Sequence, residues 1–236
     1  MPQLETNKSL LASPSPLVVG VVSSAHTLDD ILSANLTPAD CDLIELRLDM
    51  IDLPVDELHA HAARLPLPLL ITARHPDEGG QANLDSAHRS SLLDAHLDLA
   101  TFMDVELRSA LDLQPLIKKA RSKRVSVVGS FHDFNGTPSD DVLLGAIDMA
   151  LQFQFDAVKI ATTLHSPGDL ARLLKLLDGP RRMPVSVMGM GPLGRASRIV
   201  LARCGSILNY GHLGESNASG QWPARKLKEL LAEVCD

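Results

Sequence analysis

Short β-branched runs alternate with longer Leu/Ala-rich amphipathic runs along the chain, and this alternation limits the fold more than any other feature. Candidate strands cover Leu17–Val22, Asp42–Leu48, Pro68–Thr72, Phe102–Glu106, Arg124–Gly129, Ala157–Ala161, Pro184–Met188 and Ser206–Asn209. Helical patterns lie between and after them, over Leu53–Arg64, Ser86–Leu99, Ala110–Ser122, Ser139–Phe153, Pro167–Leu177, Gly194–Arg203 and Pro223–Val234. A fainter one lies near Thr27–Ser33. Strands that are apolar on both faces and separated by helices pair in parallel, with both faces covered. Eight such units in 236 residues predict an α/β chain folded as a single (β/α)8 TIM barrel, a fold of about 250 residues. The alternative is an open doubly wound sheet, but no Gly-x-Gly-x-x-Gly follows the first strand.

Residues 1–16 are polar, carry Ser and Pro, and read as a flexible lead-in without the apolar segment of a signal peptide. Residues 17–236 read as the one barrel domain. No window approaches the roughly 18 apolar residues of a membrane helix. A net charge of −7 without a long Lys/Arg run argues against a nucleic-acid partner. The three cysteines, Cys41, Cys204 and Cys235, are odd in number, far apart and not in a Cys-x-x-Cys pair. They imply neither a disulfide framework nor a zinc site, and they fit a reducing cytoplasm.

In such a barrel the chemistry gathers at the C-terminal ends of the strands. Lys159 reads as an ammonium at the tip of the buried run Phe155–Thr162. Burying an unpaired lysine favours the neutral, nucleophilic amine that Schiff-base chemistry on a ketone or aldehyde needs. A lysine stem packed on the strand with its head in water describes the segment equally well. In the second strand, period-2 alternation puts Glu45, Arg47 and Asp49 on one face. Facing inward, these charges must pair with each other or bind a ligand; an edge strand with one wet face is the other possibility. The third strand runs into Arg74, Glu78 and the turn Gly79-Gly80, a setting for an anion or a diol. His132 lies between Phe131 and Asp133-Phe134 just past the fifth strand, as a general acid/base or as a structural histidine. His59, His61, His88 and His96 read as helix-surface residues. After the seventh strand, Gly189 to Arg198 forms a glycine-rich turn opening a helix, and Arg198 is in reach of a carboxylate. Gly214 to Gln221 reads as a small polar lid, or as a passive turn. Lysine, histidine, carboxylate and arginine together make a set for imine chemistry on an anionic carbonyl compound.

Six segments in register resemble the type I 3-dehydroquinate dehydratase family. They are Glu45-Leu-Arg47-Leu-Asp49; Thr72-Ala-Arg74 with Glu78-Gly79-Gly80; Ser130-Phe-His132-Asp133-Phe134; Val158-Lys159-Ile160-Ala161; Met188-Gly-Met190 with Gly194 and Ser197-Arg198; and Gly220-Gln221. The resemblance runs from about Leu17 to Leu230 and implies a (β/α)8 catalytic domain. It implies that Lys159 forms an imine with the C3 ketone of 3-dehydroquinate, and that His132 moves protons in a syn elimination of water. It implies that Glu78 orients His132, that Arg198, Asn217 and Gln221 hold the carboxylate, and that Glu45, Arg47 and Arg74 hold ring hydroxyls or position neighbouring side chains. It implies no metal or organic cofactor, because the lysine imine is the electron sink, and it points to a homodimer. Two positions depart from the family: the lid reads Asn217-Ala218-Ser219-Gly220-Gln221 without the usual proline, and Val21 stands where many members carry a serine. A class I lysine aldolase on the same barrel is a competing expectation, as is a barrel that binds an anionic metabolite without turnover.

Overall fold

The computed structural model describes residue 7 and residues 9–180, 182–216 and 218–235. Among these residues eight strands alternate with eight helices that follow them. The first four units are β1 (Leu17–Val22), α1 (Ala25–Ser33), β2 (Leu43–Arg47), α2 (Val55–Ala62), β3 (Leu69–Thr72), α3 (Ser86–Ala95), β4 (Phe102–Glu106) and α4 (Gln114–Ser122). The second four are β5 (Ser126–Asp133), α5 (Asp140–Gln152), β6 (Ala157–Thr163), α6 (Pro167–Lys175), β7 (Val185–Met190), α7 (Gly194–Arg203), β8 (Leu208–His212) and α8 (Ala224–Cys235).

All neighbouring strands pair in parallel, in the order β7-β6-β5-β4-β3-β2-β1-β8. Between β7 and β8 the barrel closes through single contacts. The Ile207 N–H donates to the Val185 carbonyl at 3.1 Å, and the Ser186 hydroxyl donates to the Leu208 carbonyl.

Alternation along the strands divides the apolar residues into two layers. Leu43, Leu70, Phe102, Val128, Ala157 and Leu208 pack together inside the barrel. Ile44, Ile71, Met103, Val127, Val158 and Val187 face outward into a larger layer beneath the helices. The inward positions turn polar toward the C-terminal strand ends, where Glu45, Arg47, Asp104, Glu106, Ser130 and Lys159 are all buried. An (β/α)8 barrel filled by side chains places its reactive groups at that end.

Three sequence expectations change. Lys159 is the third of seven residues in β6, not its tip; the inward positions Ala157, Lys159 and Ala161 continue past it. His132 lies within β5, because that strand runs four residues beyond Gly129 while paired with β6 through Asp133↔Thr162. His96 is buried rather than on a surface, with its Nδ1 on the Leu92 carbonyl at 2.8 Å and its ring edge-on to His59. Within the expected lead-in, residues 9–11 are helical and Leu11 packs into the inner layer. The Asn7 amide donates to the carbonyls of Thr101 and Arg124 at 3.1 and 3.0 Å. Among the described residues no helix is long and apolar enough to cross a membrane.

Candidate active site

Lys159 stands at the centre of a cleft at the C-terminal end of the barrel. Its Nζ donates to Asp104 Oδ2 at 2.7 Å and lies 4.6 Å from the centre of the Tyr210 ring. Burial pushes its pKa down, and the Arg74 guanidinium adds to this, while Asp104 and Glu45 work against it. Asp104 cannot easily take the lysine's proton. Despite burial, Arg74 and Lys159 hold its carboxyl far below the usual range. Asp104 is therefore a counter-ion that orients Lys159, not its base.

Arg74 follows β3 and is bound from several sides. Its Nη1 donates to Asp104 Oδ1, to Glu106 Oε1 (both 2.8 Å) and to Ser130 Oγ (2.7 Å). Its backbone N–H donates to Asp49 Oδ1 at 3.2 Å. That aspartate also holds Arg47, accepting its Nε on the same oxygen at 2.9 Å and its Nη2 on Oδ2 at 2.7 Å. Arg47 also reaches the Gly79 carbonyl at 3.3 Å, which ties β2 to the turn carrying Glu78. Glu45 accepts the Thr72 hydroxyl at 2.7 Å and keeps an edge on the cleft.

The turn Pro76–Glu78 aims Glu78 inward. Proline opens it, the Asp77 N–H donates to His75 Nδ1 at 3.1 Å, and Gly79 leaves it at φ 87°. Only glycine suits that position, since a Cβ there would lie 2.6 Å from the Phe134 ring. Glu78 Oε2 accepts the backbone N–H of His132 at 3.0 Å and lies 2.9 Å from its Nδ1. An oxygen already accepting from a backbone donor is an acceptor for the ring as well. This geometry keeps the proton on Nδ1 and leaves Nε2 as the free base. Burial and the neighbouring Arg74 and Lys159 charges hold His132 well below its ordinary range. Burial, followed by the Glu106 charge, pushes Glu78 from 4.5 up to about 7. The Phe134 ring stacks beside the imidazole with centroids 6.4 Å apart.

Opposite these groups, Arg198 on α7 donates from Nε to the Gly220 carbonyl at 3.2 Å and from Nη1 to the Tyr210 carbonyl at 2.9 Å. Among the described residues no carboxylate pairs with it, and burial alone lowers it to about 10. A buried guanidinium without a counter-ion is a ready site for an anion. Gln221 is buried beside it, its N–H donating to the Ala218 carbonyl at 3.2 Å. Gly220, at φ 78°, seats this loop against α7: a Cβ there would fall 2.8 Å from Gly194 Cα. Trp222, next in sequence, donates its indole N–H to the Arg195 carbonyl at 3.0 Å and lies beneath the Arg195 guanidinium.

Of the residues expected at a site, Lys159, His132, Glu78, Glu45, Arg47, Arg74, Arg198 and Gln221 line this one cleft, as does Val21. Asn217 lies outside the described residues. Asp104, Glu106, Ser130 and Tyr210 were not anticipated. The β4 sequence Phe102-Met-Asp104-Val-Glu106 carries the signal that marked β2, acids at every second position of an otherwise apolar strand.

The sequence profile of type I 3-dehydroquinase matches residues 18–234. A 3-dehydroquinate dehydratase of Thermodesulfovibrio yellowstonii is 33% identical over 184 residues, 76% of this chain and 80% of that protein. One from Thermococcus onnurineus is 32% identical over 223 residues, 93% of this chain and 99% of that protein. The crystal structure of 3-dehydroquinate dehydratase from Geobacillus kaustophilus superposes with a TM-score of 0.84 at 25% identity, over 94% of this chain and 92% of that one.

Proposed function

From the chain's membership of the type I 3-dehydroquinase family, which dehydrates 3-dehydroquinate to 3-dehydroshikimate through a Schiff base, we propose how its own residues divide the work. Lys159 attacks the C3 ketone and loses water to form the imine, which draws off the electrons released at C2. His132 Nε2 removes the C2 proton and returns it to the departing C1 hydroxyl, so one base serves both halves of a syn elimination. Hydrolysis then frees Lys159. Glu78 holds the tautomer that leaves Nε2 basic. Arg198, with Gln221 and Asn217, takes the carboxylate. Glu45 meets a ring hydroxyl; Arg47 and Arg74 act mainly by holding Asp49, Asp104 and the Glu78 turn. One observation carries this reading: the buried lysine, the His132–Glu78 pair and an arginine with no carboxylate partner among the described residues open on the same cleft.

Borohydride reduction in the presence of 3-dehydroquinate tests it. A mass increase mapped to Lys159, absent in Lys159→Ala along with all turnover, is the expected result. An adduct elsewhere, or turnover by the alanine variant, rejects Lys159 as the nucleophile. An aldolase reading would need cleavage products from a carbonyl substrate, and the His132–Glu78 pair favours dehydration. The setting that goes with this reading is the cytoplasm, supported by the unpaired thiols of Cys41 and Cys204, and a homodimer, which sedimentation velocity measures directly.

A further inference from the structure

Arg89 takes no part in the chemistry above, yet it has the largest fully buried side chain among the described residues. It lies in the outer layer, on α3, whose first turn is capped by Asp85 accepting the His88 N–H at 2.8 Å. This start places Arg89 on the same helix stripe as buried Leu93, where an apolar side chain is the ordinary occupant. A guanidinium buried there has to be fully partnered. Its Nε donates to the Ala73 carbonyl at 2.8 Å, its Nη1 to Ser109 Oγ at 3.0 Å, and its Nη2 pairs with Glu106 Oε2.

The other Glu106 oxygen accepts Arg74 Nη1 at 2.8 Å and the His75 backbone N–H at 2.9 Å. Arg74 holds Asp104, and Asp104 holds Lys159. A line of alternating charge therefore runs from helix α3 to the lysine. The groups facing Lys159 are Asp104 of β4, Arg74 after β3, Glu45 of β2, Tyr210 of β8 and, more weakly, His132 of β5. Glu106 and Arg89 stand behind Arg74. With Lys159 protonated, the cations Lys159, Arg74 and Arg89 balance the carboxylates Glu45, Asp104 and Glu106. Without Arg89 the set is one charge too negative. Glu106 then also competes with Asp104 for Arg74, and both changes favour keeping the proton on Lys159.

We propose that Arg89 is a positioning residue for the dehydration: by neutralising Glu106 from the outer helix, it lets Lys159 release the proton it must lose before attacking the ketone. The proposal rests on Lys159 as the imine-forming residue. The test follows borohydride trapping at Lys159 with 3-dehydroquinate across the acid limb of the trapping profile, which reads the lysine and not the later proton transfer by the His132–Glu78 pair. Arg89→Gln is expected to move that limb up by about one pH unit, with roughly tenfold less adduct at its acid end and recovery as pH rises. Arg89→Lys, which keeps the charge, is expected to follow the native limb. Glu106→Gln removes the charge that Arg89 balances and is expected to move the limb the opposite way; it carries the test if Arg89→Gln does not fold. Equal losses at every pH, or shifts of the same sign in the Gln variants, would leave Arg89 a packing residue and overturn the proposal. A native enzyme that is never trapped at Lys159 overturns the underlying assignment, an outcome distinct from a trapped native enzyme with unmoved limbs.

Discussion

Glu78 is held where its charge is disfavoured. An acid whose folded pKa is raised, here from 4.5 to about 7, binds its proton more tightly folded than unfolded. Its favourable contribution is thus complete below its unfolded pKa and lost as pH rises through about 7. Above that pH the folded protein carries a carboxylate at a cost of about 3 kcal/mol. Function needs that carboxylate, because the ionised form holds the Nδ1 proton of His132 more firmly than a neutral carboxyl does. Activity should therefore fall as pH drops below about 7, as Glu78 protonates and the His132 tautomer is lost. Lys159 and His132, both pushed down by burial, retain their working forms further into acid than free side chains do. Glu78→Gln should show both sides of the conflict. We expect kcat to fall by on the order of 10²–10⁴-fold, while urea denaturation near pH 8 shows a variant more stable than the native chain. A variant that is less stable and retains its kcat would contradict the account.

The elements differ in how openly the sequence announces them. β1 and β4 are legible to the residue, and each helix that follows a strand is legible in outline, because apolar periodicity marks buried faces directly. Boundaries failed where a strand continues into polar chemistry. The sequence pattern ends the fifth strand at Gly129, since Ser130, His132 and Asp133 lack strand-like apolar character, yet pairing with β6 carries the backbone on through them. The site followed the same rule. Lys159 and His132 are conspicuous as isolated polar residues, whereas Asp104 and Glu106 are masked by the apolar residues of their strand. Arg89 was beyond periodicity altogether: an arginine on a helix is ordinarily read as solvent-facing, and only the position of Glu106 makes its burial tolerable.

At the scale of the whole molecule, the two ends of the barrel do separate work. Charged side chains crowd the C-terminal end, while at the other end Asn7 joins the approaches to β4 and β5 through two carbonyls. Losing a donor that satisfies partly buried carbonyls costs about 1–2 kcal/mol. Asn7→Ala should lower the melting temperature by about 2–6 °C while kcat and KM stay native. Parallel changes in stability and kinetics would show the two ends to be coupled.

The chain's single tryptophan follows directly after Gln221, half-buried, with its indole pinned to the start of α7 by Arg195. A lone fluorophore thus stands at the end of the loop that, in the reading proposed above, brings Gln221 to the substrate's carboxylate. With no other indole to dilute the signal, its emission colour and quenching report on that loop alone, so ligand entry can be followed optically in the unlabelled protein.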